Sequence, residues 1–168
     1  MILWATALLP FLMGGLIWWP GSRLEVEKGP GRGLLGGAAA SAMLILSALA
    51  VTAALTAGKS AFSWGGALVL TLEMAPISRI AALMIPAIAL PIVIWAAASE
   101  EGAGLSRLLG LLVAFTGAME LLVLAADLLV VAVAWELLGF FSWALIAHHW
   151  QEEDKVSAAD YAFNATRL

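Results

Sequence analysis

The sequence predicts an all-α integral membrane protein, with about five transmembrane helices and the start of a sixth. Three observations predict it. Hydrophobic residues make up 63% of the 168 residues, against roughly 45–50% in a soluble globular domain. Charged residues make up only 12%, about half the usual share. The apolar residues also gather into long stretches, and a helix needs about 20 of them to cross the hydrocarbon core. A soluble fold of this size must cover a large surface with polar groups, and a chain with a mean hydropathy of +1.00 does not carry them. Residues 1–168 read as a single membrane domain.

The first span is Ile2–Trp19. No Lys or Arg precedes it, so it reads as a retained helix and not as a secretory signal. It ends in Trp18 and Trp19, an aromatic pair suited to the headgroup boundary. A polar loop, Gly21–Gly33, carries Arg23, Glu25, Glu27, Lys28 and Arg32. The second span, Leu34–Ala57, opens with Gly36, Gly37 and Ala38–Ala40, small residues that let helix backbones approach. Residues 58–76 include Lys59, Ser60, Ser63 and Glu73, and their apolar run Ala67–Leu72 is too short to cross. An interfacial segment or a short hairpin is expected there.

The third span, Ile77–Ala98, contains Pro86 and Pro91, which membrane helices tolerate when neighbours satisfy the freed carbonyls. A polar loop with Glu100 and Glu101 follows. Arg107–Trp150 would be about 60 Å long as one helix, twice the core thickness, so it must fold back. Asp127 is the polar residue near its middle, giving spans 107–126 and 128–149. After the polar Gln151–Lys155, residues 157–168 begin another helix. The Lys/Arg bias favours an outside N-terminus, with Arg23, Lys28, Arg32, Arg107 and Lys155 inside and Lys59 and Arg79 outside.

The net charge is −4, from 8 Lys+Arg and 12 Asp+Glu. No basic patch is present, so nucleic acid is not an expected partner. The absence of cysteine excludes disulfides and thiolate-held clusters in this chain. No Walker A, HExxH or nucleophile elbow occurs, so no catalytic set is recognisable. No cofactor or metal is expected.

The residues that bear chemistry are acids and histidines. An Asp at the centre of a spanning helix is placed near +2.5 to +3.5 kcal/mol by insertion scales. Glu136 lies deepest, nine residues past Asp127 and about 13 Å along the axis. A lone carboxylate there must be protonated or meet a cation from another helix, and either state suits a group that exchanges protons. The alternative is a packing Glu bonded to a neighbouring helix. Glu120, seven residues before Asp127, is expected to share its helix face and either to line an outer path or to snorkel to the interface. Asp127 is expected to cap a helix, with an outer-path role as the alternative. His148 and His149 end span five and have the pKa range of a proton exchanger. Adjacent residues point about 100° apart on a helix, so both are not expected on one path. Glu152 and Glu153 are the only local co-ligands for zinc, too few for a site.

The stretch Phe115–Trp150 resembles the proton-conducting antiporter-like family of membrane subunits. That family includes the NuoL-type subunit of respiratory complex I and the large subunits of Mrp-type cation/proton antiporters. The pattern is carried by Trp135, Glu136, Gly139, Ser142, Trp143, Leu145 and Ile146. The segment Tyr161–Arg167 resembles the A-F-x-x-x-R opening of helix six in the complex I branch. The resemblance implies the N-terminal portion of an antiporter-like bundle, with Glu136 as the key acid of a half-channel. It also implies a lysine on a broken seventh helix, which these residues do not include. That helix is expected from another membrane subunit of a hetero-oligomeric complex or from a longer form of the chain. Quinone and redox chemistry would belong to partner subunits.

The expected function is proton translocation in a NADH:quinone oxidoreductase-like complex, with Glu136, Glu120, His148 and His149 as relay candidates. A subunit of an Mrp-type antiporter or related ion-uptake complex and a non-conducting structural subunit are the alternatives. The expected location is the bacterial cytoplasmic (inner) membrane.

Overall fold

The computed structural model describes residues 1–24, 31–65, 68–100 and 104–165. Glu25, Glu27, Lys28, Glu101 and Arg167 lie outside the described residues, as do the side chains of Arg23 and Arg32. Among the described residues are helices α1 (Ile2–Leu24), α2 (Gly31–Thr56), α3 (Pro76–Ser99), α4 (Leu105–Leu124), α5 (Leu128–Ile146) and α6 (Glu153–Ala165). The first five are long and apolar enough to cross a membrane. The chain is an all-α membrane bundle with one small β-hairpin.

Several boundaries move outward from the expected ones. α1 continues through Pro20 to Leu24. A proline in the last turns of a helix removes one donor and leaves little helix to disrupt. α6 starts at Glu153, four residues early, because Glu153 and Asp154 stand in its first turn, where acids favour the helix dipole. α3 runs unbroken through Pro86 and Pro91.

Residues 58–76 resolve into β1 (Lys59–Trp64) and β2 (Leu68–Glu73), an antiparallel pair with Lys59 opposite Glu73 and Phe62 opposite Leu70. Gly65 opens the turn at φ +64°, in the left-handed region that glycine adopts without strain. The hairpin lies across one end of the bundle. Phe62 meets Trp4 edge-on, 6.1 Å between ring centroids. Leu72 is fully buried with Leu3, Leu121 and Leu124.

α4 is the most enclosed of the spanning helices. It packs against α1 through glycine: a Cβ on Gly110 would stand 2.6 Å from the carbonyl oxygen of Gly14. Gly117 similarly meets Pro10. Without strong hydrophobic drive between helices in lipid, such close approach is a main source of packing attraction. α5 lies outermost, with only Val130 and Ala134 buried. Most of its surface faces out of the bundle.

Candidate functional site

Asp127 lies at the hairpin end. The helix expected to reach Ala126 stops at Leu124, so Asp127 lies beyond α4 and does not share a face with Glu120. Residue 127 has extended backbone, and its Oδ1 accepts from the Val130 N–H at 2.9 Å, capping α5. Its Oδ2 accepts from the Thr71 N–H of β2. The Ala126 N–H donates to the Thr71 carbonyl at 2.9 Å. The backbone N–H groups, Val130 foremost, hold the Asp127 carboxyl below its usual range against a smaller opposing effect of burial.

Glu120 sits in the last turns of α4 and is 2% exposed. It does not snorkel. Both carboxylate oxygens are buried without a hydrogen-bond partner among the described residues. Glu136 occupies the middle of α5 and is exposed on the surface of the bundle. The two acids are therefore not brought together: one faces into the helix bundle and the other out of it.

The opposite end of the bundle gathers three titratable groups. α5 gives way to a single 3₁₀ turn, Ala147–His149. Glu100, the residue after α3, reaches it. Its Oε1 lies 3.3 Å from His148 Nε2 and 3.8 Å from His149 Nε2. The two imidazoles touch edge-on, 4.9 Å between centroids. The expected divergence of the histidines is thus overturned. The 100° argument applies to a continuous α-helix, whereas here the helix has ended and a carboxylate from another segment draws both rings. Arg107, in the first turn of α4, donates to the His148 carbonyl. Gly104, at φ +117°, leaves room for the His148 ring: a Cβ there would lie 3.3 Å from its Cε1. The His148 side chain is buried and that of His149 half-exposed.

The two segments carrying the motif resemblance pack together. Trp143 Nε1 donates to Asp160 Oδ1 at 2.8 Å. Phe163 lies over Gly139, 3.8 Å from where its Cβ would be. Sequence reasoning named neither Asp160, Thr71 nor Glu100 as site residues. No local signal marks them, since each acts through a contact made by the fold.

No family model matches the chain. Over 143 residues it is 29% identical to F(420)H(2) dehydrogenase subunit L of Methanosarcina mazei, covering 79% of this chain and 21% of that protein. Over 145 residues it is 28% identical to NAD(P)H-quinone oxidoreductase subunit 5, organellar chromatophore 1, of Paulinella chromatophora, covering 76% of this chain and 22% of that protein. The chain spans about a fifth of the length of these curated relatives. Both are NuoL-type subunits, so the similarity of this chain is to the family that its Trp135–Ile146 motif resembles.

Proposed function

We propose that the chain is a membrane subunit of a multisubunit, proton-translocating complex of the complex I type, and that Glu136 is its intramembrane proton-relay carboxylate. The observation that carries this reading is the position of Glu136. It stands halfway along a spanning helix and on the outward face of the bundle. A carboxylate facing lipid at that depth is costly, and such residues face protein or a water-filled cavity. The outward face of α5 is then a contact face for another membrane element, one bearing a lysine on a broken helix. A cation moving near Glu136 changes the proton affinity of the carboxylate, which couples movement outside this chain to proton uptake.

Glu120 is the second acid of the path inside the bundle. His148 and His149 exchange protons at the end away from the hairpin, the cytoplasmic end if the N-terminus is outside. Asp127 is a structural cap, since its oxygens are engaged by backbone N–H groups. Redox cofactors belong to partner subunits. The dehydrogenase and oxidoreductase names of the relatives favour a redox-linked complex over a cation/proton antiporter, and identification of the co-purifying subunits separates the two. The decisive experiment is Glu136→Gln in the assembled complex, reconstituted in vesicles. Proton pumping is expected to be nearly abolished with assembly intact. Normal pumping would overturn the relay role and leave the non-conducting structural reading.

A further inference from the structure

We infer that Glu100, His148 and His149 form a Zn²⁺ site that staples the end of α3 to the end of α5; an ion there would occupy Nε2 of both imidazoles, so the proton exchange proposed for them operates only while the site is empty. Two imidazole nitrogens and one carboxylate oxygen, with water in the fourth position, are a common zinc ligand set. Glutamates 152 and 153, the neighbours in sequence, are not needed. The third ligand comes from the far side of α4, 48 residues away from His148.

The geometry is close to that of a bound ion. Tetrahedral zinc with bonds of about 2.0–2.1 Å places its ligand atoms about 3.3–3.4 Å apart. Glu100 Oε1 is 3.3 Å from one imidazole nitrogen and 3.8 Å from the other, and the three ligand atoms lie within 4.8 Å of one another. The set is wider than this spacing on the His149 side, so His149 must move inward to close it. His149 is also the half-exposed member, at 48%, so it supplies the movable side through which an ion enters. The other two are held. His148 is 6% exposed, its carbonyl is pinned by Arg107, and Nε2 is the nitrogen that meets Glu100, while Nδ1 is buried without a hydrogen-bond partner among the described residues. Arg107 places a positive charge nearby, which opposes cation binding. The Glu100 carboxylate offsets it, and the open coordination position admits water.

The test uses the full chain, purified in detergent without a histidine tag, and Zn²⁺ alone as the probe. Titration against a chromophoric chelator is expected to find one equivalent bound, and Co²⁺ is expected to give the visible absorption of a tetrahedral site. Zn²⁺ is expected to raise the thermal midpoint, reversibly with EDTA, because it binds the folded form. His149→Ala and Glu100→Gln alter the less buried ligands, and each is expected to weaken binding at least tenfold and to cancel the thermal shift. Absence of stoichiometric binding would overturn the site, as would unchanged affinity in both variants when each folds as judged by its circular dichroism. His148→Ala adds a third arm read in the same way.

Discussion

The indole N–H of Trp143 in α5 donates a 2.8 Å hydrogen bond to the carboxylate of Asp160 in α6. The bond ties the first turns of α6 to the helix that carries Glu136. Phe163 reinforces it from the next turn, 6.4 Å from Trp143 between ring centroids. Trp143→Phe keeps the aromatic packing and removes the donor. It is expected to loosen α6 by about 1 kcal/mol, the usual net worth of one such bond. Limited proteolysis of the α6 segment, faster in the variant than in the parent, is the check.

Asp127 joins the turn between α4 and α5 to the hairpin. Asp127→Ala removes an N-cap and the acceptor for the Thr71 N–H. Cap loss alone costs about 1 kcal/mol, so thermal unfolding in detergent is expected several degrees lower. Asp127→Asn keeps an acceptor and is expected to recover most of the loss.

The same carboxyl gives a pH dependence. Its folded pKa is depressed, so its stabilising contribution is present above the ordinary value of 3.8. The contribution is lost as pH falls from there through the lower folded value. The gap in stability between parent and Asp127→Ala is therefore expected to be constant near neutral pH and to close below about pH 4. A gap that persists at pH 2 would assign the effect to packing instead.

The spans were legible in the sequence because bilayer thickness fixes their length, and the mid-membrane depth of Glu136 follows from counting residues from the turn at Asp127. The ends were less legible. Pro20 and Ser157 read as boundary marks, yet a helix tolerates proline near its last turn, and acids at its start draw it forward to Glu153. The segment 58–76 was ambiguous because an apolar run too short to cross suits either a hairpin strand or an interfacial stretch. Its partner, the turn after α4, is 56 residues away along the chain from Thr71 to Asp127. Of the Glu100 cluster the two histidines were legible, but their carboxylate partner was not. Helix packing, and not spacing, brings Glu100 to the histidines.

Gly110 and Gly14 make the closest glycine contacts between α1 and α4. A Cβ on Gly110 meets the Gly14 carbonyl oxygen at 2.6 Å and the Trp18 Cβ at 2.9 Å. Backbone cannot yield as a flexible side chain does. Gly110→Leu is therefore expected to force the helices apart and destabilise the bundle by about 1–3 kcal/mol or more. Gly15 is on the same helix as Gly14 but has open space around its Cβ position. Gly15→Leu is expected to leave the thermal midpoint nearly unchanged, and a comparable loss in both variants would refute the packing account.

Glu120 separates stability from function. Its oxygens are buried without a hydrogen-bond partner among the described residues, and an unsatisfied buried polar group costs about 1–3 kcal/mol. Glu120→Leu removes that group from the tightest helix of the bundle, so it is expected to raise the stability of the purified chain by up to that amount. Thermal unfolding in detergent measures it. A residue kept at such a cost without a structural return is a candidate for function. If Glu120 is the inner acid of the path, the stabilised variant pumps fewer protons in the assembled complex. Higher stability with undiminished pumping removes Glu120 from the path. Lower stability would instead mean that the carboxylate is satisfied inside the bundle, by an enclosed water, and is there to hold the helices together.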